Sequence, residues 1–396
     1  MKTNENLLNN YHNIPIDTVT IPQTDLNIAV KTRTNLFSWN GQFSPQFVES
    51  EISYYARKGF SVLDPFAGSG TTLCECARKG LRAYGIELNP SAYYMAKTYE
   101  LVTTNIEMRE KIICAVDRII EKSIEGKDIL KYLLFQREAS LGKAESEIIS
   151  TLVILLDIFK NEITTELIRQ KWLKLKNTII SLPYSSEMVI AENKDARRTG
   201  LSSKSVDLLL TSPPYINVFN YHQNYRRSVE ALGFNVLNIA KSEFGSNRKN
   251  RGNRFLTVIQ YCIDMALAIN EANRVCKDGA RMIYVVGRES TVLGYSFCNS
   301  ELIYSIATEI FNLPFDIKQE RVFKNRYGQM IYEDILHLIN CSSQTLKCED
   351  IIEKARKIAV RMLKERLEED NENKNAEVLK EAIDKANLVK ESEIFV

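Results

Sequence analysis

The sequence predicts an α/β fold, a mainly parallel sheet with helices on both faces and an antiparallel edge. Three observations carry this. Residues 61–89, SVLDPFAGSGTTLCECARKGLRAYGIELN, run from a short apolar stretch ending at Asp64, through a small-residue turn at Phe66 to Gly70, into a helical pattern and a second apolar stretch ending at Glu87. Strand, glycine-rich turn, helix, and strand with a terminal acid make a nucleotide-binding βαβ unit. Residues 206–222, VDLLLTSPPYINVFNYH, place a further buried strand directly before a turn with two adjacent prolines, at the strand end where open α/β sheets bind ligands. Strand and helix patterns alternate as far as residue 340, interrupted by one all-helical stretch.

Taken in order, residues 1–34 read as an arm with short extended pieces, IPIDTVTIP and LNIAVKT. From Gln46 to Lys58 the apolar residues Phe47, Val48, Ile52, Tyr55 and Ala56 have helical spacing, so this helix packs beside the first strand. Pro90 opens a helix, a normal first-turn position. Residues 102–185 carry one proline, Pro183, and repeat apolar residues every three to four positions, which predicts a helical insertion between the second and third strands. It reads first as a structural or dimerising lobe, with choosing the target sequence or gripping its backbone as the alternative. Glu187–Glu192 is the third strand with Asp195 just past it, Val206–Leu210 the fourth and Gly279–Gly287 the fifth. Phe255–Cys276 and Asn299–Asn312 are helices, and Asp316–Phe323 with Glu333–Asn340 form the antiparallel edge. Residues 35–101 and 186–340 thus make one domain. Residues 341–396 are a charged helical extension that runs without proline from Glu349 to Lys390.

The two turns carry the chemistry. Gly68 and Gly70 let backbone approach a ligand with no Cβ in the way. The N–H groups that open the helix at Thr71 and Thr72 can take a carboxylate or phosphate. Glu87, 19 residues past Gly68, can accept hydrogen bonds from ribose hydroxyls. On this stretch alone NAD binding or a ligand-free tight turn also fits, although a dinucleotide fingerprint wants a third glycine where this chain has Leu73. In Thr211-Ser212-Pro213-Pro214-Tyr215 the prolines have no N–H and a fixed φ, so the Ser212 and Pro213 carbonyls are held out rigidly, ready to accept from an amine. Tyr215 adds a flat face on which a ring can stack.

VLDPFAGSGTT followed by GIELNP resembles the cofactor motif of the DNA methyltransferases that methylate amino groups with S-adenosylmethionine, and TSPPY resembles their catalytic motif. SWNGQFSPQFVESEISYYARK (38–58) is similar to the segment that precedes the first motif, and Asn193 to Arg197 to the one whose acid contacts adenine. The resemblance implies a Rossmann-like class I methyltransferase fold. It implies S-adenosyl-L-methionine held by Asp64, Pro65, Phe66, Gly68, Gly70, Thr71, Glu87 and Asp195, and catalysis by Ser212, Pro213, Pro214 and Tyr215. It further implies double-stranded DNA with the reacting base rotated out of the helix, and it admits a cognate restriction endonuclease as a partner. Serine at the first motif position resembles the members that methylate cytosine N4. Adenine N6 and an RNA base are the alternatives. Methylation of cytosine carbon 5 needs a Pro-Cys pair, and none of the nine prolines precedes a cysteine.

A formal net charge of +2, 44% hydrophobic and 26% charged residues are ordinary globular values, so the distribution of charge matters more than its sum. Arg226 and Arg227 lie on a predicted helix, and Lys241, Arg248, Lys249, Arg251 and Arg254 face a single acid, Glu243, in a loop beside the catalytic turn. A solvated surface loop would look the same, but the position favours nucleic-acid contact. Eight cysteines without a CxxC pair and three scattered histidines predict no metal site and reduced thiols. No apolar run reaches the roughly 18 residues of a membrane span, and the first twenty residues lack the blocks of a signal peptide, so the expectation is a cytoplasmic protein. A non-catalytic nucleic-acid binder and an NAD-dependent oxidoreductase remain as readings from other classes.

Overall fold

The structure is a computed structural model and describes residues 11–126, 128–139, 142–216, 221–244, 252–325, 328–341 and 346–395. Helices α1 (Gln23–Asn27) and α2 (Pro45–Tyr55) precede β1 (Ser61–Asp64), and α3 (Thr71–Arg78), β2 (Arg82–Ile86) and α4 (Pro90–Lys97) follow. Four helices come before the return to the sheet: α5 (Ile106–Glu125), α6 (Ile129–Glu138), α7 (Lys143–Leu156) and α8 (Thr165–Ser181). Next are β3 (Val189–Glu192), β4 (Val206–Thr211), α9 (Arg226–Ala231), α10 (Val236–Ser242), α11 (Phe255–Val275) and β5 (Cys276–Gly287). A hairpin, β6 (Glu289–Val292) and β7 (Tyr295–Cys298), leads to α12 (Asn299–Ser305), then β8 (Phe315–Lys324), β9 (Met330–Ile339), α13 (Cys348–Glu369) and α14 (Ala376–Asp384).

Seven strands form one sheet in the order β3-β2-β1-β4-β5-β9-β8. The first five are parallel, and β9 pairs antiparallel with both β5 and β8. The strand order reverses between β1 and β4, which makes the carboxyl ends of those two strands the topological switch point of a Rossmann-like sheet. Side chains alternate across the sheet, as the two-residue period of a strand requires. Val62, Leu208, Leu210, Ile283 and Val285 enter the core under α2, α3 and the inserted helices. Leu63, Leu209, Met282, Tyr284 and Val286 enter the other, under α11 and α13. Helix α11 is long and apolar enough to cross a membrane, but it is packed inside this second core.

Four elements differ from the sequence reading. LNIAVKT does not extend: Leu26 and Asn27 close α1, because Leu26 is fully buried there. The arm is anchored by buried Tyr11 and Ile21, and only Ile16 makes a strand-like bridge, to Lys318. The β6–β7 hairpin was not legible, since its two turn residues, Leu293 (φ 49°) and Gly294 (φ 90°), take the primed conformation that usually announces itself as Asn-Gly. Strand β5 starts at Cys276, three residues before Gly279, because Cys276 already pairs with Val206 ahead of an irregularity in the ladder. The C-terminal extension breaks between α13 and α14, and its last described residues return to the sheet.

Candidate functional site

At the switch point the end of β1 is tied to the end of β4 by one buried carboxylate. Asp64 accepts from Thr211 Oγ1 at 2.6 Å, from Thr72 Oγ1 at 2.7 Å and from the Phe66 N–H at 3.1 Å. Burial pushes its pKa up to about 6 against the pull of those bonds. The glycine-rich turn and the proline turn are therefore joined by a single side chain, with Ser212 the residue after Thr211.

Between them lies a cleft of about 860 Å³, lined among others by Asp64, Pro65, Phe66, Gly68, Thr71, Glu87, Asp195, Ser212 and Pro214. Gly68 (φ 52°) lines it, while Gly70 (φ 87°) does not and turns the chain behind it into α3. A Cβ on Gly70 would stand 2.8 Å from Tyr99 and 2.9 Å from the Ala96 backbone, so only glycine fits. The Glu87 carboxylate, at the end of β2, accepts from the Gly68 and Asn89 N–H groups, both at 2.8 Å. Burial lifts its pKa to about 7 despite these two bonds. Aromatic faces make the walls: Trp39, Phe43, Phe66, Tyr221 and Phe244 all line the cleft, and Trp39 stacks on Tyr221 with an interplanar angle of 17°. The segment before α2 is fastened over the turn, with Ser69 Oγ donating to Gln42 and Thr71 Oγ1 to Asn35.

The proline turn is fixed at four points. Besides Thr211, Tyr261 donates to the Pro214 carbonyl at 2.8 Å, Asn299 accepts from the Ile216 N–H, and the Tyr215 hydroxyl donates to Glu333 at 3.2 Å. Tyr215 rests one face on Gly287, where a Cβ would come within 2.7 Å of the ring. It does not line the cleft. Glu333 is held in turn by Arg321, 3.2 Å away, whose guanidinium lies over Phe47 and Phe323.

Asp195 departs from expectation. It stands in the cleft wall, but its carboxylate accepts from the Arg197 N–H, Nε and a terminal guanidinium nitrogen and from the Phe395 N–H. Four bonds fill the lone-pair positions of a carboxylate, so none is left for an adenine amine. Arg197 continues to Asp264, Ser392 and the Glu393 carbonyl.

Of the basic residues, Arg226 pairs with Glu230, Arg227 lies over the Phe159 ring, and Lys241 is 3.5 Å from Glu393. Arg254 is exposed before α11, and Arg248, Lys249 and Arg251 lie outside the described residues. Trp39, Tyr221 and Phe244 in the cleft, and Glu333 and Arg321 behind the turn, were not assigned from sequence. Trp39 lies in a segment the resemblance covers, whereas nothing local marks Glu333 or Arg321, which meet the turn only through the antiparallel edge.

A family model described as DNA methylase, of the N6/N4 amino-methyltransferase kind, matches residues 9–98, the stretch that holds α2, the glycine turn and Glu87. The match covers 90 of the chain's 396 residues. The chain is 35% identical over 90 residues, 22% of its own length, to "Type II methyltransferase M.MjaII" of Methanocaldococcus jannaschii, and 30% identical over 104 residues, 26% of its length, to "Type II methyltransferase M.AvaI" of Nostoc. The matched stretches span 17% and 21% of those relatives' own lengths. Among solved structures, an SAM-dependent methyltransferase from Methanosarcina mazei aligns at 13% identity and a TM-score of 0.35, over 74% of this chain and 98% of that one. The cleft suits S-adenosylmethionine in two ways. Its aromatic walls suit a sulfonium cation. Its acid at the end of β2 suits a ribose.

Proposed function

We propose that this protein moves the methyl group of S-adenosylmethionine to the exocyclic amine of a base rotated out of duplex DNA, with cytosine N4 as the acceptor. The observation that carries the reading is the position of Ser212. It lines the cofactor cleft together with Gly68 and Glu87, and it also lines a second, larger cleft that opens beside it. A donor bound against Phe66 and Glu87 and an acceptor entering from the second cleft meet at Ser212. The bound cofactor supplies the electrophilic methyl; every other contribution is the chain's own.

An exocyclic amine attacks poorly because its lone pair is delocalised into the base ring. Acceptors on its N–H groups draw the nitrogen toward tetrahedral geometry, and the Ser212 hydroxyl and Pro213 carbonyl are those acceptors. Behind the turn Tyr215 donates to Glu333, so its oxygen is left to accept, and a Ser212 hydroxyl turned toward it keeps its lone pairs for the amine. Holding nitrogen and methyl in line then supplies most of the acceleration. The choice of cytosine N4 rests on the likeness of TSPPY to that subclass, and the Type II names of the relatives support a role in modifying specific sites. A DNA substrate places the work in the cytoplasm.

The test is methylation of unmodified DNA with labelled cofactor, followed by mass spectrometry of the nucleosides. N4-methylcytosine is expected, and N6-methyladenine alone would replace that assignment. Ser212→Ala should cut kcat by about 100-fold or more while cofactor affinity stays within about twofold. Wild-type protein that binds the cofactor but labels no nucleic acid would sink the enzymatic reading.

A further inference from the structure

We propose that the second cleft is the seat of the DNA duplex and that Lys31, Lys174 and Lys324 are its phosphate contacts. The proposal rests on the functional reading above and adds three cations that the sequence reading did not single out. This cleft, about 2270 Å³, shares Trp39, Gln42 and Ser212 with the cofactor cleft. An acceptor base that reaches Ser212 without crossing the cofactor must come through it.

The three lysines reach its lining from separate parts of the chain: the arm, α8 of the inserted helices and the end of β8. All three are exposed, and among the described residues none has a carboxylate within 4 Å of its ammonium group. The other cations of this lining are committed. Arg33 is held by Glu49 and Glu75, and Arg321 by Glu333. Elsewhere Arg226 and Lys241 have acid partners, and Arg227 lies on an aromatic ring. Three unpaired ammonium groups converging on one cleft from distant positions fit an anion long enough to touch all of them, and duplex DNA, with one charge per roughly 1.7 Å of axis, is such an anion. The arrangement also gives the inserted helices, through Lys174, a part in gripping the substrate.

Binding of a fluorescent, mixed-sequence duplex of about 30 base pairs to the full chain, followed from about 50 to 200 mM salt, tests the surface without knowledge of the recognition site. Each phosphate contact adds about one to the slope of log affinity against log salt. The variant Lys31→Ala/Lys174→Ala/Lys324→Ala should lower that slope by about 2 to 3 and weaken binding at least tenfold near 100 mM salt, with S-adenosylmethionine titrating as in wild type to show that the fold is intact. An unchanged slope in this variant, with Arg226→Ala/Arg227→Ala losing the binding instead, overturns the proposal and leaves the functional reading standing. A wild-type protein that binds S-adenosylmethionine but neither binds nor methylates duplex DNA overturns both. Tighter binding of an RNA duplex than of DNA overturns the assignment of the partner.

Discussion

Glu87 shows how one side chain can couple a ligand to pH. Its carboxylate is buried against two backbone N–H groups, and burial dominates, with the pKa raised to about 7. A ribose hydroxyl donates to the ionised form, and a sulfonium also favours it, so cofactor binding draws the proton off. If only the ionised form binds, affinity should fall about tenfold between pH 8 and pH 6, and Glu87→Gln should bind more weakly with a flat profile. Calorimetric titration across that range is the measurement, and a flat wild-type profile would remove Glu87 from the ribose. The stability of the empty protein runs the other way. A carboxyl whose folded pKa lies above its unfolded value contributes stability that is complete below about pH 4.5 and is lost as pH rises through the folded value. Glu87 therefore costs stability from about pH 4.5 to 7, and Asp64 (about 6) and Glu51 (about 8), both also raised by burial, act in the same direction. Melting temperatures without cofactor should carry this downward slope between pH 6 and 8, and saturating cofactor should reduce it.

At the scale of elements, the inserted helices are fastened to the sheet by a side chain that has no acid partner among the described residues. Arg109, almost fully buried in α5, donates to the carbonyls of Leu101 and Val102 where the chain leaves the sheet, and to those of Leu182 and Pro183 where it returns. The cation meets the free carbonyls at the end of α8, where a positive charge is favoured, and burial still pulls its pKa down. Arg109→Met keeps much of the volume and orphans these carbonyls at roughly 1–3 kcal/mol each where they stay dry. The variant should melt several degrees lower by calorimetry; an unchanged melting temperature would show that water replaces the guanidinium at no cost. The helices themselves were legible from their periodicity, and so were β1 to β4 with both turns, because burial on alternate or every third to fourth residue leaves its mark locally. Arg109 was not legible, since an arginine inside an amphipathic pattern reads as surface. Asp195 failed for a related reason: its position after β3 was readable, but its saturation by Arg197 and by Phe395, 200 residues later, is a tertiary fact. The β6–β7 hairpin lacked turn chemistry, and Glu333 lies far along the chain from the Tyr215 that it orients.

At the scale of the molecule, the two ends of the described chain brace the site from opposite edges. The arm lays Tyr11 and Ile16 against β9 and β8, with the Tyr11 hydroxyl on Asp334 and Ile16 bridged to Lys318. The last residues come back to the cleft wall. Arg197 is nearly inaccessible and gathers Asp195, Asp264 of α11, both oxygens of Ser392 and the Glu393 carbonyl, with its guanidinium over Phe244. The Ser392 N–H in turn donates to Asp264, whose pKa burial raises to about 6. Because Phe244 and Asp195 line the cofactor cleft, the tail is a support for that wall. Removing residues 391–396 leaves a buried guanidinium and two carboxylates short of partners, and a buried charge deprived of its hydrogen bonds costs several kcal/mol. The shortened protein should melt at lower temperature and bind S-adenosylmethionine several-fold more weakly, with saturating cofactor recovering part of the lost stability by mass action. Ser212→Ala, which touches none of these groups, should do neither. If the shortened chain bound the cofactor as tightly as the full one, Arg197 would stabilise the fold without shaping the cleft, and the tail would have no part in holding the donor.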